Sequence, residues 1–308
     1  MPRRCGRQPR LVRGPVKVRR VVAAVLGLLA LAACSGCTST SAATPRPASV
    51  AITARPGSAT PHRWRHVVVV VEENHAYGQI IGSHDATYFD HLASVGADFR
   101  RSFAETHPSQ PNYVALFSGS THGLTDDSCP HDLAGDNLGR QLLASGRSFV
   151  GWSEGLPHTG SQACTSGSYA RKHVPWADFT DLPASVNRPL SAFPTRLDRL
   201  PTVSFVIPDL EHDMHDGTIA QADSWLRRHL GRYARWAPAH HSLLLVTWDE
   251  DDDTAANRIP TIAVGAGVRR GVSRQRITHY SVLRTLEDAY GLSRLGHAAH
   301  ASDVHALG

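Results

Sequence analysis

The first 33 residues contain no aspartate or glutamate, and the chain as a whole has no internal repeat and no linker through its middle. The missing repeat excludes a solenoid or array. The missing linker argues that 308 residues bury one large core, with a single folded domain over residues 64–308. The apolar run Val21 to Ala33 is too short to span a bilayer as a mature helix. Cysteine is scarce: of five, Cys5, Cys34 and Cys37 precede the folded region, which leaves Cys129 and Cys164. Two cysteines cannot supply a structural zinc site, and Cys129-Pro130-His131 has no matching second half.

The net charge of +5 misleads. Eight of the 32 basic residues lie between Arg3 and Arg20, and without them 24 face 27 acids. A basic nucleic-acid face is therefore not expected. The early arginines and Lys17 read instead as the n-region of an export signal over residues 1–33, with Val21 to Ala33 as its apolar part. Leu31-Ala32-Ala33-Cys34 looks like a lipobox, which would make Cys34 a lipidated first residue and attach the protein to a membrane. Plain cleavage near Ala33 would give a freely secreted protein, and Arg19-Arg20 also fits a twin-arginine signal. Residues 34–63, rich in Ser, Thr, Ala and Pro, read as a flexible tether. Export favours a disulfide between Cys129 and Cys164. A monomer is expected.

Val67 to Val71 is β-branched throughout, as a parallel strand covered on both faces requires. Strands are also expected at Phe149–Trp152, Val203–Ile207, Ser242–Thr247 and Ile259–Val264. Helices are expected at Tyr88–Val95, Tyr113–Ser118, Leu138–Ser145, Thr218–Trp236 and Tyr280–Tyr290, with an irregular region from Thr165 to Arg199. The alternation predicts an α/β fold: a doubly wound, mostly parallel sheet sandwiched by helices.

The chemistry centres on Thr106-His107-Pro108-Ser109-Gln110-Pro111-Asn112-Tyr113. Ser109 is the candidate nucleophile, and a serine hydroxyl needs a base or a metal to activate it. A helix starting beside it would offer backbone amides to an anion. Glu73-Asn74 and Asp249-Glu250 follow two buried strands, so hard oxygen ligands gather where such strands end. With Ser109 they form the candidate metal set, for one divalent ion: Ca²⁺, Mg²⁺ or Mn²⁺ on oxygen ligands, Zn²⁺ if histidine joins. Asp251 to Asp253 read as solvated surface. His215-Asp216 and His279 are candidates for oxyanion contact and proton donation, and Asn112 and His107 for contacts to a phosphoryl group. Each has a plainer alternative, from an N-cap at Asn74 to a proline-rich turn around Asn112.

Val69-Val70-Val71-Glu72-Glu73-Asn74-His75, Glu105 to Leu116, Asp213-Met214-His215-Asp216-Gly217, Thr247 to Asp252 and His279-Tyr280 together resemble the phosphoesterase family. That family groups bacterial acid phosphatases, including secreted mycobacterial ones, with phospholipases C inside the alkaline-phosphatase-like superfamily. The resemblance runs from about Trp64 to the end. It implies a phosphoserine intermediate on Ser109, one metal held by Glu73, Asn74, Ser109, Asp249 and Glu250, and an α/β/α sandwich. Many relatives read Glu-Asn-Arg-Ser where this chain has Glu73-Asn74-His75-Ala76, and His212 stands where Asn is common, so neither histidine takes a role. The expected activity is that of an exported metal-dependent acid phosphatase on phosphorylated small molecules or phosphoinositide-type substrates. The alternatives are a phosphodiesterase or phospholipase C, and a surface lipoprotein that only binds phosphorylated ligands. Mass analysis of the mature protein is expected to find lipidated Cys34 as its first residue; an unmodified amino terminus near Ala33 would instead mark a freely secreted product.

Overall fold

The computed structural model describes residues 64–254 and 256–307. The expected export signal, the lipobox expected at Cys34 and the expected tether lie outside those residues. In chain order the elements are β1 (His66–Glu72), α1 (Tyr77–Ile80), α2 (Thr87–Val95), β2 (Ala97–Phe103), α3 (Ser109–Ser118), α4 (Leu138–Ala144) and β3 (Phe149–Ser153). The small strands β4 (Thr165–Ser166), β5 (Tyr169–Ala170) and β6 (Asn187–Pro189) follow, set among single 3₁₀ turns in the region expected to be irregular. Then come β7 (Val203–Ile207), α5 (Ile219–Trp236), β8 (Ser242–Trp248), β9 (Arg258–Ile259), β10 (Thr261–Gly265), β11 (Gly271–Thr278) and α6 (His279–Tyr290).

Nine strands form one sheet in the order β11-β2-β10-β8-β1-β7-β3-β6, with β9 added alongside β2. From β8 to β6 every neighbour is parallel, and β11 also runs parallel to β2; β10 and β9 are antiparallel. Because β2 and β8 are both antiparallel to β10, they point the same way. The carboxyl ends of β2, β8, β1, β7 and β3 therefore share one edge.

The valine run of β1 explains its central place. Val67, Val69 and Val71 face a core shared with α3 and α6, while Val68 and Val70 face the opposite core against α2 and α5. Alternate side chains of one strand thus fill two layers, and only a strand apolar on both faces can do so. The outer strands are less legible. β11 (Gly-Val-Ser-Arg-Gln-Arg-Ile-Thr) is an edge strand with its early residues exposed, and β2 carries exposed Arg100 and Arg101, so neither reads as an apolar run. The expected strand Ile259–Val264 is split at Pro260, which has no N–H for a ladder, into β9 and β10.

Cys129 and Cys164 are joined as a disulfide. On β3, Gly151 lies against the face of Trp176, which belongs to an aromatic cluster with Phe117, Phe149 and Phe205. A Cβ at Gly151 would fall 1.9 Å from Trp176 Cε2. Gly151→Ala is therefore expected to cost about 1–3 kcal/mol through overpacking. A lowered urea midpoint reports that cost, and an unchanged midpoint contradicts this packing.

Candidate active site

Three neighbouring parallel strands carry acids past the shared edge. β1 leads into Glu73-Asn74, β8 into Asp249-Glu250, and β7 into the Asp209–Gly217 loop. Backbone bonds lock the turns together: Asp249 N–H donates to Glu72 O at 2.9 Å, and Glu73 N–H to Asp213 O at 2.8 Å. Asn74 sits in the left-handed region at φ 50°, where asparagine is among the most tolerated residues, and its N–H donates to Asp249 Oδ1 at 3.1 Å. Met214, buried at φ 82°, is a rarer case. A bulky side chain there stores strain, held by the packing that fixes Asp213 and His215 on either side.

Ser109 is the first residue of α3 and is buried against this edge. Its Oγ lies 3.0 Å from Glu73 Oε2 and 3.4 Å from Glu250 Oε1, so one hydroxyl proton is shared between two carboxylates. The structure thus brings Glu73, Asn74, Ser109, Asp249 and Glu250 together from three separate stretches of chain. His107 joins at the mouth, with Nδ1 3.0 Å from Glu250 Oε2 and Nε2 3.3 Å from Asp251 Oδ1. Asp251, expected on the surface, is buried, because its side chain accepts from the Thr254 N–H and hydroxyl as well.

Other expected contacts are placed differently. Asn112 accepts the Glu105 and Thr106 N–H groups on Oδ1, and its Nδ2 lies within bonding distance of Thr106 O, Pro108 O and Glu250 Oε2. It holds the nucleophile turn in shape. His279 is buried, with Nε2 donating to the Trp248 carbonyl at 2.8 Å, so it ties α6 to the end of β8. His215 Nδ1 lies 2.7 Å from Asp216 Oδ1 and its Nε2 lies 3.2 Å from Lys172 Nζ. The amides of α3 are also less free than a bare helix start suggests. Asp127 Oδ1 accepts the Gln110 N–H at 2.9 Å, and Pro111 has none to give.

Several residues were not singled out from the sequence. His173, buried, lies between two acids, with Nε2 3.2 Å from Glu73 Oε1 and Nδ1 3.2 Å from Asp213 Oδ2. It stacks on Tyr113, whose hydroxyl donates to Glu73 Oε1 at 2.5 Å. Lys172 donates to Asp127 Oδ2 at 2.8 Å. One signal existed: Lys172 and Lys17 are the only lysines in the chain. Asp213 had another, since it follows a strand within Asp-Met-His-Asp-Gly.

Burial is the main force on these groups. It pushes Asp249 up to about 7 and Glu250 and Asp213 up to about 8, and it holds Glu73 well above the usual carboxyl range, with Asp249 and Asp213 adding repulsion. Burial lowers His173. For Lys172 burial opposes the charge, but the Asp127 hydrogen bond and the charges of Glu73 and Asp249 prevail and raise it.

A cation fits this set. Asn74 Oδ1 and Asp249 Oδ2 are buried and have no hydrogen-bond partner among the described residues. Buried acceptors of this kind require a partner, and a divalent ion supplies one. Glu73, His173 and Asp213 form one cluster able to hold a metal; Glu154, Asp209 and His212 form a second, less buried one beyond β7.

A three-layered fold with an acid-rich carboxyl edge suited to a cation, and a hydroxyl placed there to attack, belongs to a hydrolase of phosphate esters. Comparison with known proteins agrees: residues 83–293 match the Phosphoesterase family, and the chain belongs to it. It is 52% identical over 242 residues to a phosphatidylinositol-3-phosphatase of Mycobacterium tuberculosis, covering 78% of this chain and 81% of that one. It is 30% identical over 228 residues to a phosphate-repressible acid phosphatase of Penicillium chrysogenum, covering 67% of this chain and 54% of that one, so it spans about half of the fungal protein's length. Among solved structures, an alkaline phosphatase superfamily protein from Vibrio parahaemolyticus aligns with TM-score 0.52 at 12% identity, over 77% of this chain and 70% of that one. Murine ectonucleotide pyrophosphatase/phosphodiesterase 5 aligns with TM-score 0.53 at 11% identity, over 75% and 96%. The fold is that of the alkaline phosphatase superfamily, and the chain is a phosphoesterase.

The raised carboxyl groups set a pH dependence. Between ~4, where unfolded carboxyls titrate, and the folded values of about 7 to 8, the unfolded chain binds fewer protons than the folded one. Stability of the cation-free protein therefore falls as pH rises through that window. Chelator-treated protein is expected to melt lower at about pH 8 than at about pH 5. A divalent cation at a hundredfold over its Kd should raise Tm by roughly 5–10 °C at the higher pH, and by less at the lower. A flat Tm, or a cation effect equal at both pH values, contradicts this electrostatic picture.

Proposed function

We propose that the protein is an exported, metal-dependent phosphomonoesterase that works through a phosphoserine on Ser109. The observation that carries this reading is the Ser109 hydroxyl hydrogen-bonded to Glu73 and Glu250 beside the unpartnered oxygens of Asn74 and Asp249. The names of the relatives support it. The fungal one is called an acid phosphatase, and the mycobacterial one is named for removing phosphate from a phosphoinositide. Phosphorylated inositol headgroups and other small phosphomonoesters are accordingly the substrates we assign, at acid pH. Residues 64–308 form the catalytic domain in this reading, and residues 1–63 deliver and tether it.

Glu73, Asn74, Asp249 and Glu250, with Ser109, would hold the divalent ion. Bound there, it neutralises charge on the transferring phosphoryl group and favours the ionised serine. Oxygen donors favour Mg²⁺, Ca²⁺ or Mn²⁺, and His173 alongside brings zinc within range. The chain's own groups do the rest. α3 fixes Ser109 Oγ on the carboxyl edge, and the nearby carboxylates accept its proton as the Oγ–P bond forms and the ester P–O bond breaks. His107, at the mouth, would return a proton to the leaving alkoxide. Water then attacks the phosphoserine, releasing phosphate and restoring the hydroxyl. Positioning and charge neutralisation supply most of the rate.

Ser109→Ala is expected to lower kcat on p-nitrophenyl phosphate by more than roughly 10³-fold while leaving Tm near that of the parent. A purified Ala variant with near-parental turnover contradicts the assignment of the nucleophile.

A further inference from the structure

Phosphate has to be held on the side away from the cation, and the usual device there is already partly taken. The first-turn N–H of Gln110 is bonded to Asp127, and the next residue is a proline. Asp127 is itself an anion at the start of α3, where a substrate phosphate would otherwise dock. Beside it lies the cation that Asp127 holds.

Lys172 Nζ donates to Asp127 Oδ2 at 2.8 Å and lies 3.2 Å from His215 Nε2. With a proton on Nδ1, His215 donates to Asp216, and its Nε2 lone pair accepts from the ammonium. Two of the three ammonium hydrogens are thereby used, and the third has no acceptor among the described residues. The charge acts on Glu73, Asp249 and Glu250, which places it within electrostatic reach of the atoms around Ser109. The side chain is not sealed off, being 18% exposed. Its position is fixed from both ends. Asp127 lies two residues before Cys129, and Arg171 N–H donates to the carbonyl of Cys164, so the disulfide pins the acid's loop to the lysine's loop.

We propose that Lys172 contacts the phosphoryl oxygens on the side away from the metal ligands, and so favours dianionic monoesters over monoanionic diesters. The preference follows from charge. A fixed cation attracts a dianion about twice as strongly as a monoanion at the same distance, and the partly buried setting limits screening. This rests on the phosphomonoesterase reading above and names the residue that selects its substrate class. A merely structural Lys172–Asp127 pair would affect both classes equally.

The test uses the full-length, metal-loaded protein with Lys172→Gln, Lys172→Arg and Asp127→Asn. Calorimetry measures the affinity for inorganic phosphate and for dimethyl phosphate, and kinetics on p-nitrophenyl phosphate separate KM from kcat. In K172Q, phosphate affinity is expected to fall by roughly tenfold to a hundredfold, and dimethyl phosphate affinity by only about the square root of that, roughly threefold to tenfold. KM for the monoester should rise with the phosphate loss. K172R keeps the charge and should recover most of the affinity, while D127N removes an anion from the site and should not lower phosphate affinity as K172Q does. Tm of each variant reports whether it folds, and if K172Q does not fold, the same comparison is made with Lys172→Met. Equal phosphate affinity in folded K172Q and the parent overturns the proposal, as does an equal loss for both ligands. A parent that binds phosphate but turns over no monoester refutes the proposed function, while the binding comparison still decides the role of Lys172.

Discussion

Everything at this site depends on the crowding of carboxylates on one buried edge. Glu73, Asp213, Asp249 and Glu250 are delivered by three adjacent strands, and burial raises all four. Like charges this close in a desolvated setting do not coexist without protons or a cation between them. The acids are therefore a cost to the fold that only function explains, and Met214, buried in the left-handed region, is a second cost in the same loop. Sites where several local rules fail together are where chemistry is expected.

The scaffold makes the crowding possible. β1, apolar on both faces, sits between β7 and β8 in strict parallel register, so three strand ends finish level with one another. β2 points the same way through the antiparallel β10, and it delivers α3 and Ser109 to that edge from the far side of β8. Asn112 then holds the turn before the serine by accepting two backbone N–H groups. The nucleophile is rigid because the chain around it is bonded to itself. Asp127, Lys172 and the disulfide form a second brace, on the side where substrate oxygens would lie.

Much of this could be read in the sequence. The valine run and Ser242–Trp248 announce buried parallel strands, and acids directly after each are a strong hint of a shared edge. Ser109 between two prolines, and the motifs around it, pointed to the family that the comparison then gave. What was not legible depends on tertiary contact. β2 and β11 pair at the outer part of the sheet with charged or polar residues, so their pattern is weak. His173 and Lys172 lie in a region without periodic pattern, and their approach to Glu73 and Asp127 is set by folding across the sheet edge. Asn112 shows the converse: its residue type suggested a substrate contact, and its bonds are to its own loop and to Glu250.

Anomalous diffraction from crystals soaked in Mn²⁺ and orthovanadate tests the central claim most directly. The expected result is one strong manganese peak within bonding reach of Glu73, Asn74, Asp249 and Glu250, with vanadate attached to Ser109 Oγ. A peak elsewhere, or vanadate seated away from Ser109 with no manganese at these acids, would contradict the account.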